Sequence, residues 1–406
     1  MHIGFLSPEY VIPPDRIDGG LANYLRKIAH ELTKRGQEVS IIVLSNRNAT
    51  WKDGSITIYE LKKVSIPRWI SPCKSLKPII PVINQYFSTK QVAKKVWEIH
   101  REHPFHILQT SDFMAPGYSL IENGKIPIVC RISSYTPIWR LAAGERCTFG
   151  DYLMDWMETQ QVVKSDGSFA PSNLLAGIFS YCEGYTPDII RTPIEIPNNV
   201  VFNALYYQEH LLNRKYLLYF GTLCEVKGVD IIIKVLPEIL QRHTDLSIAF
   251  IGRDDGFSSG KKCVEEIFAG YKSFQDRIIY HPPLSKSALY PVIAHARGVL
   301  MPSRIDNYPN VCLEAQSLGV PVIGTYGSSL DEMIIDGKTG FLAKNASAES
   351  LSDVIEQLLN LSEDQKQEMR QNILKHLQNM LLEDRVGQLV AWYQSVIKEY
   401  HNRDLK

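Results

Sequence analysis

"GVLMPSRIDNYPNVCLEAQSLGVPVIGT" spans residues 298–325. It opens on a short apolar run and passes into a loop carrying Asp306 and the turn-like Asn-Tyr-Pro-Asn. An Ala- and Leu-containing stretch follows, then Gly319, then a second apolar run ending at Thr325. Pro309 and Asn310 suit the start of a helix, and Gly319 suits its end. The two apolar runs are continuous rather than alternating, as in parallel strands buried on both faces. The stretch therefore predicts a strand–helix–strand unit. In such sheets ligands sit outside the carboxyl ends of the strands, which is where Asp306 lies.

The same alternation runs through the chain. In the first half the predicted strands are 2–7, 39–45, 56–61, 105–111, 126–133 and 167–172, followed by "IEIPNNV" (194–200). In the second half they are 216–221, 247–252, 277–282, 298–303, 321–325 and 340–343. Two series predict an α/β protein with two doubly wound Rossmann-like domains facing a central cleft. The boundaries are read as 1–203 for an N-terminal Rossmann-like domain and 204–385 for a C-terminal one. Residues 386–406 form a last helix returning toward the first domain. A chain of 406 residues is long enough for two cores.

Formal net charge is zero, which gives no general attraction to nucleic acid. Seven cysteines occur singly, without a CxxC pair, which argues against a zinc site or a disulfide framework. Met1 leads directly into the apolar "HIGFLS", so no signal peptide is read, and no apolar run is long enough to cross a bilayer. The expected location is cytoplasmic, with peripheral docking at the inner face of the membrane left open.

Three loops carry candidate chemistry. Helical spacing puts Val311, Glu314, Ala315 and Leu318 on one face, so Glu314 shares the inward side with apolar residues. A carboxylate there needs a partner or a ligand. The helix start also offers N–H groups and partial positive charge that suit a phosphate. Spacing alone equally allows Asp306 to cap a turn and Glu314 to pair with a basic neighbour. In "YLLYFGTLCEVKGVDIIIKV" (216–235), Lys227 precedes a periodic helix and can neutralise phosphate as a point charge, or simply be a surface lysine. Gly19–Gly20 stand before an amphipathic helix, where backbone can approach a ligand closely or merely turn. The absence of GxGxxG counts against a dehydrogenase.

Taken in order, these loops resemble the GT-B glycosyltransferases of family 4 over nearly the whole chain. The opening strand with Gly19–Gly20, "GSFAPSNLLA" (167–176), "YFGTLCEVKGVDIIIKV" (219–235) and the acid pair with its following glycine loop (301–342) carry the likeness. The resemblance implies a retaining transfer of sugar from a nucleotide-diphosphate sugar to a glycan, lipid-linked or small-molecule acceptor, with no obligatory metal. It implies that Glu314 holds the donor ribose hydroxyls, Asp306 faces the donor sugar and Lys227 binds the diphosphate. Asn307, Tyr308, Pro309, Asn310 and Val311 would line the donor site, with N–H groups around Tyr308 to Val311 on sugar and phosphate. Gly19 and Gly20 would close over the diphosphate.

Three departures from the family pattern stand out. The first acid is Asp306 rather than Glu. Thr222 replaces the arginine after the diphosphate-loop glycine, which leaves more to Lys227 unless Arg304 or Arg253 helps. Ser133 lies near the position of an N-domain histidine, with Arg131 and Arg140 as further acceptor-side candidates. The stretch 62–101 is rich in Lys and Arg with interleaved aromatics, including Arg68, Trp69, Ile70 and Lys74. It reads as a membrane-docking surface or as an ordinary solvated helix face. The alternatives in the same fold are a non-catalytic nucleotide-sugar-binding partner subunit and a nucleotide-sugar 2-epimerase.

Overall fold

The computed structural model describes residues 1–11, 19–65, 77–121, 124–194, 201–269 and 272–403. Most of "IEIPNNV", and Arg68, Trp69, Ile70 and Lys74 of the basic stretch, lie outside the described residues. The chain forms two compact units. Unit 1 comprises Met1–Ile138, Arg146–Pro193 and Asp384–Lys406; unit 2 comprises Trp139–Glu145 and Ile194–Glu383.

Unit 1 holds β1 (His2–Ser7), β2 (Glu38–Ser45), β3 (Ala49–Asp53), β4 (Ile56–Lys62), β5 (Ile107–Ser111), β6 (Ile128–Arg131), β7 (Gly167–Ala170) and β8 (Asp188–Ile189). They form one sheet in the order β3-β4-β2-β1-β5-β6-β7-β8. All neighbours pair in parallel except β3 with β4. The chain starts in the middle, winds outward one way, then crosses back to β5. The reversal between β1 and β5 is the switch point of a doubly wound sheet.

Unit 2 repeats this plan with β9 (Lys215–Phe220), β10 (Leu223–Cys224), β11 (Leu246–Ile251), β12 (Asp254–Gly256), β13 (Ile278–His281), β14 (Gly298–Leu300), β15 (Val322–Thr325) and β16 (Gly340–Ala343). Its main sheet runs β13-β11-β9-β14-β15-β16, all parallel, and β10 pairs with β12 separately. Here the switch point lies between β9 and β14.

The continuous apolar runs are explained by burial on both faces. Along β9, Leu217 and Tyr219 join one core, packed with helix Val229–Arg242 and helix Ala348–Leu359. Tyr216, Leu218 and Phe220 join another, with Tyr290, Cys312 and Ala315. In β2, Val39, Ile41 and Val43 face one core and Ile42 and Leu44 the other. Each fully buried aliphatic side chain contributes on the order of 1.5–3 kcal/mol. The helix Arg385–Arg403 belongs to unit 1: Tyr393 is fully buried, donating to Gln109, and Arg385 donates to the Thr192 carbonyl at 2.8 Å.

Two strand expectations shift. The edge strand β3 is absent from the sequence-based set, because only alternate residues of it are even half-buried. The run 126–133 shortens at both ends to β6 and the run 167–172 shortens to β7, with the residues past Arg131 and Ala170 forming loops at the carboxyl ends of the strands.

Candidate functional site

In unit 2 the switch point brings two loops together, one leaving β9 and one leaving β14. Lys227 sits in the first and Asp306 in the second, and Lys227 Nζ lies 2.8 Å from Asp306 Oδ2. Asp306 is buried, at 7 % exposure. Its carboxylate also accepts from Ser303 Oγ at 3.2 Å and from its neighbour's N–H, Asn307, at 2.9 Å. Lys227 Nζ stands 4.9 Å from the ring centroid of Trp139, a cation–π distance. The two residues are held close because Gly228 packs against β14's exit. Gly228 caps helix Val229–Arg242 at φ 73°, and a Cβ there would stand 2.0 Å from the Pro302 carbonyl oxygen. Only glycine fits that conformation and that approach.

Past Asp306 the backbone is strained. Tyr308 has φ 53° and Ser329 has φ 65°, both in the left-handed region that bulky residues avoid. The two segments are pinned to each other, with the Tyr308 N–H donating to Ser329 Oγ at 2.9 Å. This turn delivers Pro309 as the cap of helix Asn310–Ser317, with no side-chain cap. The N–H groups of Asn310 and Val311 have no hydrogen-bond partner among the described residues. Unused donors at a helix start are a ready anion site.

Glu314 lies one turn further along. Its carboxylate is 21 % exposed and 3.6 Å from Lys286 Nζ. The expected inward face is corrected here. Cys312, Leu313, Ala315 and Gln316 are buried, whereas Val311, Glu314 and Leu318 are only half-buried. The helix is short and turns its sheet-facing side to Cys312 and Ala315, so Glu314 borders the loop rather than the core.

The other expected cations are committed elsewhere. Arg304 makes a two-pronged pair with Asp230, both contacts at 2.7 Å, and donates to the Glu225 carbonyl. Burial pushes the Asp230 carboxyl up, but the Arg304 guanidinium outweighs it and holds the group low. Arg253 pairs with Asp255 at 2.6 and 2.9 Å. Thr222 offers its carbonyl to Tyr219 Oη at 2.6 Å.

Of the acceptor-side candidates and the Gly19–Gly20 pair, all lie in unit 1 except Arg140, which belongs to the Trp139–Glu145 segment of unit 2. Gly19 caps helix Gly20–Lys34. The helix start is already met by a carboxylate of the chain itself: Glu9 Oε1 accepts from the Ala22 N–H at 3.2 Å. Arg131 is buried, with its guanidinium carbon 3.7 Å from the Tyr24 ring centroid. Ser133 serves Asp112, donating its N–H at 2.8 Å and its hydroxyl to the same oxygen. Arg140 lies on helix Thr136–Ala142, half-buried.

A pair of buried acids went unread in the sequence. Asp112 follows β5 and Glu158 lies on helix Phe149–Lys164. Glu158 accepts from the Met114 N–H and from Thr136 Oγ1, both at 2.7 Å. Met114 and Ala115 have φ of 60° and 42°, so Glu158 anchors a strained turn. Burial, with the nearby Asp112 charge, pushes the Glu158 carboxyl up to about 8. Burial also raises Asp112, against the bonds from Ser133 and Ser134. A signal existed only in "TSD" at a strand end; nothing in the sequence ties it to Glu158.

Residues 207–376 match the family model described as glycosyl transferases group 1, a stretch that contains Lys227, Asp306 and Glu314. Over 188 residues the chain is 27% identical to a D-inositol 3-phosphate glycosyltransferase of Corynebacterium urealyticum, covering 46% of this chain and 44% of that protein. The chain thus spans less than half the length of that relative. By structure it is similar to sucrose-phosphate synthase from Thermosynechococcus elongatus, with a TM-score of 0.73 and 16% identity over 98% of this chain and 99% of the other. It is also similar to Anabaena HepE in complex with UDP, with a TM-score of 0.68 and 16% identity over 97% of this chain and 100% of the other. The fold is that of the GT-B glycosyltransferases.

Proposed function

We propose that this protein is a retaining glycosyltransferase of family 4 that takes its sugar from a nucleotide-diphosphate donor. The observation that carries this reading is the Lys227–Asp306 pair beside the unused N–H groups of Asn310 and Val311, at the switch point of unit 2. Lys227 and those N–H groups would hold the diphosphate, and Glu314 the ribose hydroxyls. Asp306 would meet the donor sugar. Thr222 and the backbone from Asn307 to Val311 complete the donor side.

In the reaction the bond from the anomeric carbon to the diphosphate oxygen breaks, and the bonding pair leaves with the diphosphate. An acceptor hydroxyl oxygen then bonds to that carbon from the same face and passes its proton to the departing diphosphate oxygen. The leaving group gains charge as the sugar becomes oxocarbenium-like, so preorganised donors are the main catalytic device. Asp306 is held by Lys227, Ser303 and Asn307, which favours front-face attack over a covalent link to this carboxylate. With Arg304 and Arg253 paired away, Lys227 carries the charge that a second cation would share. The reading calls for no obligatory metal.

The acceptor and the location are proposed from unit 1. Helix Ile80–Glu102 exposes Tyr86 and Phe87, and helix Phe149–Lys164 exposes Phe149, Tyr152 and Trp156. The Tyr118 ring lies 6.4 Å from Tyr86 and 6.3 Å from Trp156, so the two helices share one aromatic surface. Lys90 stands over Tyr86 at 4.7 Å. Aromatic and basic side chains together suit a headgroup layer. A lipid-linked acceptor at the inner face of the membrane fits this surface. Among the described residues no helix is long and apolar enough to cross a membrane.

The test is donor binding and turnover in EDTA, first with UDP-sugars because HepE holds UDP, then with GDP-, ADP- and dTDP-sugars. Binding must raise the melting temperature. Binding with slow donor hydrolysis supports the enzyme. Binding without any turnover favours the partner-subunit reading, and epimerised donor favours the 2-epimerase.

A further inference from the structure

At the amino-terminal edge of the unit 2 sheet, away from Asp306 and Lys227, lies a cavity of about 370 Å³. It is bounded where β9, β11, β14 and β15 begin and by the start of helix Glu363–Leu381. Leu246, Val320, Leu358 and Met369 give it an apolar lining. Five basic side chains also line it, and three of them are already paired. Lys215 meets Asp245 at 2.5 Å, Lys366 meets Glu363 at 2.7 Å, and His243 meets Glu356 at 3.0 Å. Lys215 holds Asp245 below its ordinary carboxylate range, and Lys366, with smaller pulls from Arg297 and Lys215, holds Glu363 below its own.

Arg297 and Arg370 remain. Among the described residues neither guanidinium has a hydrogen bond or an ion pair. Arg370 lies against Gly319, where a Cβ would meet its Cζ at 3.3 Å. The glycine therefore leaves room for that guanidinium at the cavity wall. Two unpaired guanidiniums facing a lined cavity are complementary to a doubly charged oxyanion with an apolar body. A phosphate monoester carries about −1.5 to −2 at neutral pH, which matches two cations. The size falls in the range of small-molecule sites.

We propose that this cavity is a second ligand site, which binds a small phosphate monoester through Arg297 and Arg370 with its carbon skeleton on Leu246, Val320 and Leu358. The site is separate from the donor loops and stands whether or not the chain transfers sugar. It sits on the same domain as the donor loops: helix Asn310–Ser317 leads from the donor loop to Gly319, against which Arg370 rests.

The probe is phenyl phosphate, titrated calorimetrically into the full chain, with inorganic phosphate as comparator. Wild type and Lys227→Ala should bind it alike. Arg297→Met and Arg370→Met should each weaken it about tenfold, as expected for losing a charge-assisted hydrogen bond. Inorganic phosphate should bind more weakly than the phenyl ester. Arg297 is half-buried and Arg370 exposed, and neither belongs to a core cluster, so the variants should melt near wild type, and circular dichroism checks this. The proposal is overturned if the phenyl ester does not bind. It is equally overturned if binding survives both arginine changes, or is lost only with Lys227→Ala, which would place it in the donor loops.

Discussion

Lys227 Nζ and Asp306 Oδ2 stand 2.8 Å apart, joining the loop after β9 to the loop after β14. The lysine is 23 % exposed and the aspartate side chain 8 %. On the proposed donor reading, Asp306 holds the cation that a diphosphate would claim. Removing either partner should have opposite effects on binding. Lys227→Ala should weaken UDP roughly tenfold or more. It should also lower the melting temperature by a few degrees, since Asp306 keeps only Ser303 and Asn307. Asp306→Asn should leave UDP affinity unchanged or raised while transfer falls. Calorimetry with UDP, beside a transfer assay, separates the two. Equal losses of UDP binding in both variants would show that the pair does not compete with the ligand.

Glu314 borders the loop after β14, with its carboxylate 3.6 Å from Lys286 Nζ. If it holds ribose hydroxyls, Glu314→Ala should weaken UDP about tenfold but leave inorganic pyrophosphate unaffected. The preference for UDP over 2′-deoxy-UDP should shrink as well. A variant that loses pyrophosphate binding to the same extent would place Glu314 at the phosphates or in the fold instead.

Gly228 sets the distance between the two loops. Gly228→Ala costs about 1–2 kcal/mol for its left-handed backbone alone. The added methyl would also meet the Pro302 carbonyl at 2.0 Å, so the loop must retreat. The expected result is a lower melting temperature and, in the protein that folds, weaker UDP binding than the stability loss explains. Wild-type UDP affinity in this variant would mean that Lys227 is not placed by this close approach.

Parallel strands buried on both faces leave continuous apolar runs, which is why β9, β11 and β2 are plain in the sequence. The edge strand β3 is not, because Thr50 and Lys52 face solvent and its pairing with β4 rests on partners such as Trp51 Nε1 to Glu60 at 2.8 Å. Strands β10 and β12 are too short to show any period. Lys227 and Asp306 were legible as loop residues at strand ends. Their ion pair was not, because it depends on which strands flank the switch point. Glu158 was hidden for the same reason. It reads as an ordinary acid on a helix until folding sets it against Asp112 and the Met114 turn.

That buried acid gives a pH prediction with a definite sign. Glu158 is 8 % exposed, and its folded carboxyl is pushed up to about 8, from an ordinary value near 4.5. Between those values the native state keeps a proton that the unfolded chain has lost. Its stabilising share is therefore complete below about pH 4.5 and disappears as pH rises through 8. This single group can tilt stability by at most about 1.4 kcal/mol per pH unit. The raised Asp112 acts in the same direction. Glu158→Gln keeps the shape, and its amide can still accept from Met114 N–H and bond Thr136 Oγ1. Urea unfolding at pH 5 should find variant and wild type similar, since wild-type Glu158 is then protonated. At pH 8 the variant should be the more stable. Parallel pH profiles would show instead that Glu158 is ionised in the folded protein throughout, and that Met114 and Thr136 suffice to hold its charge.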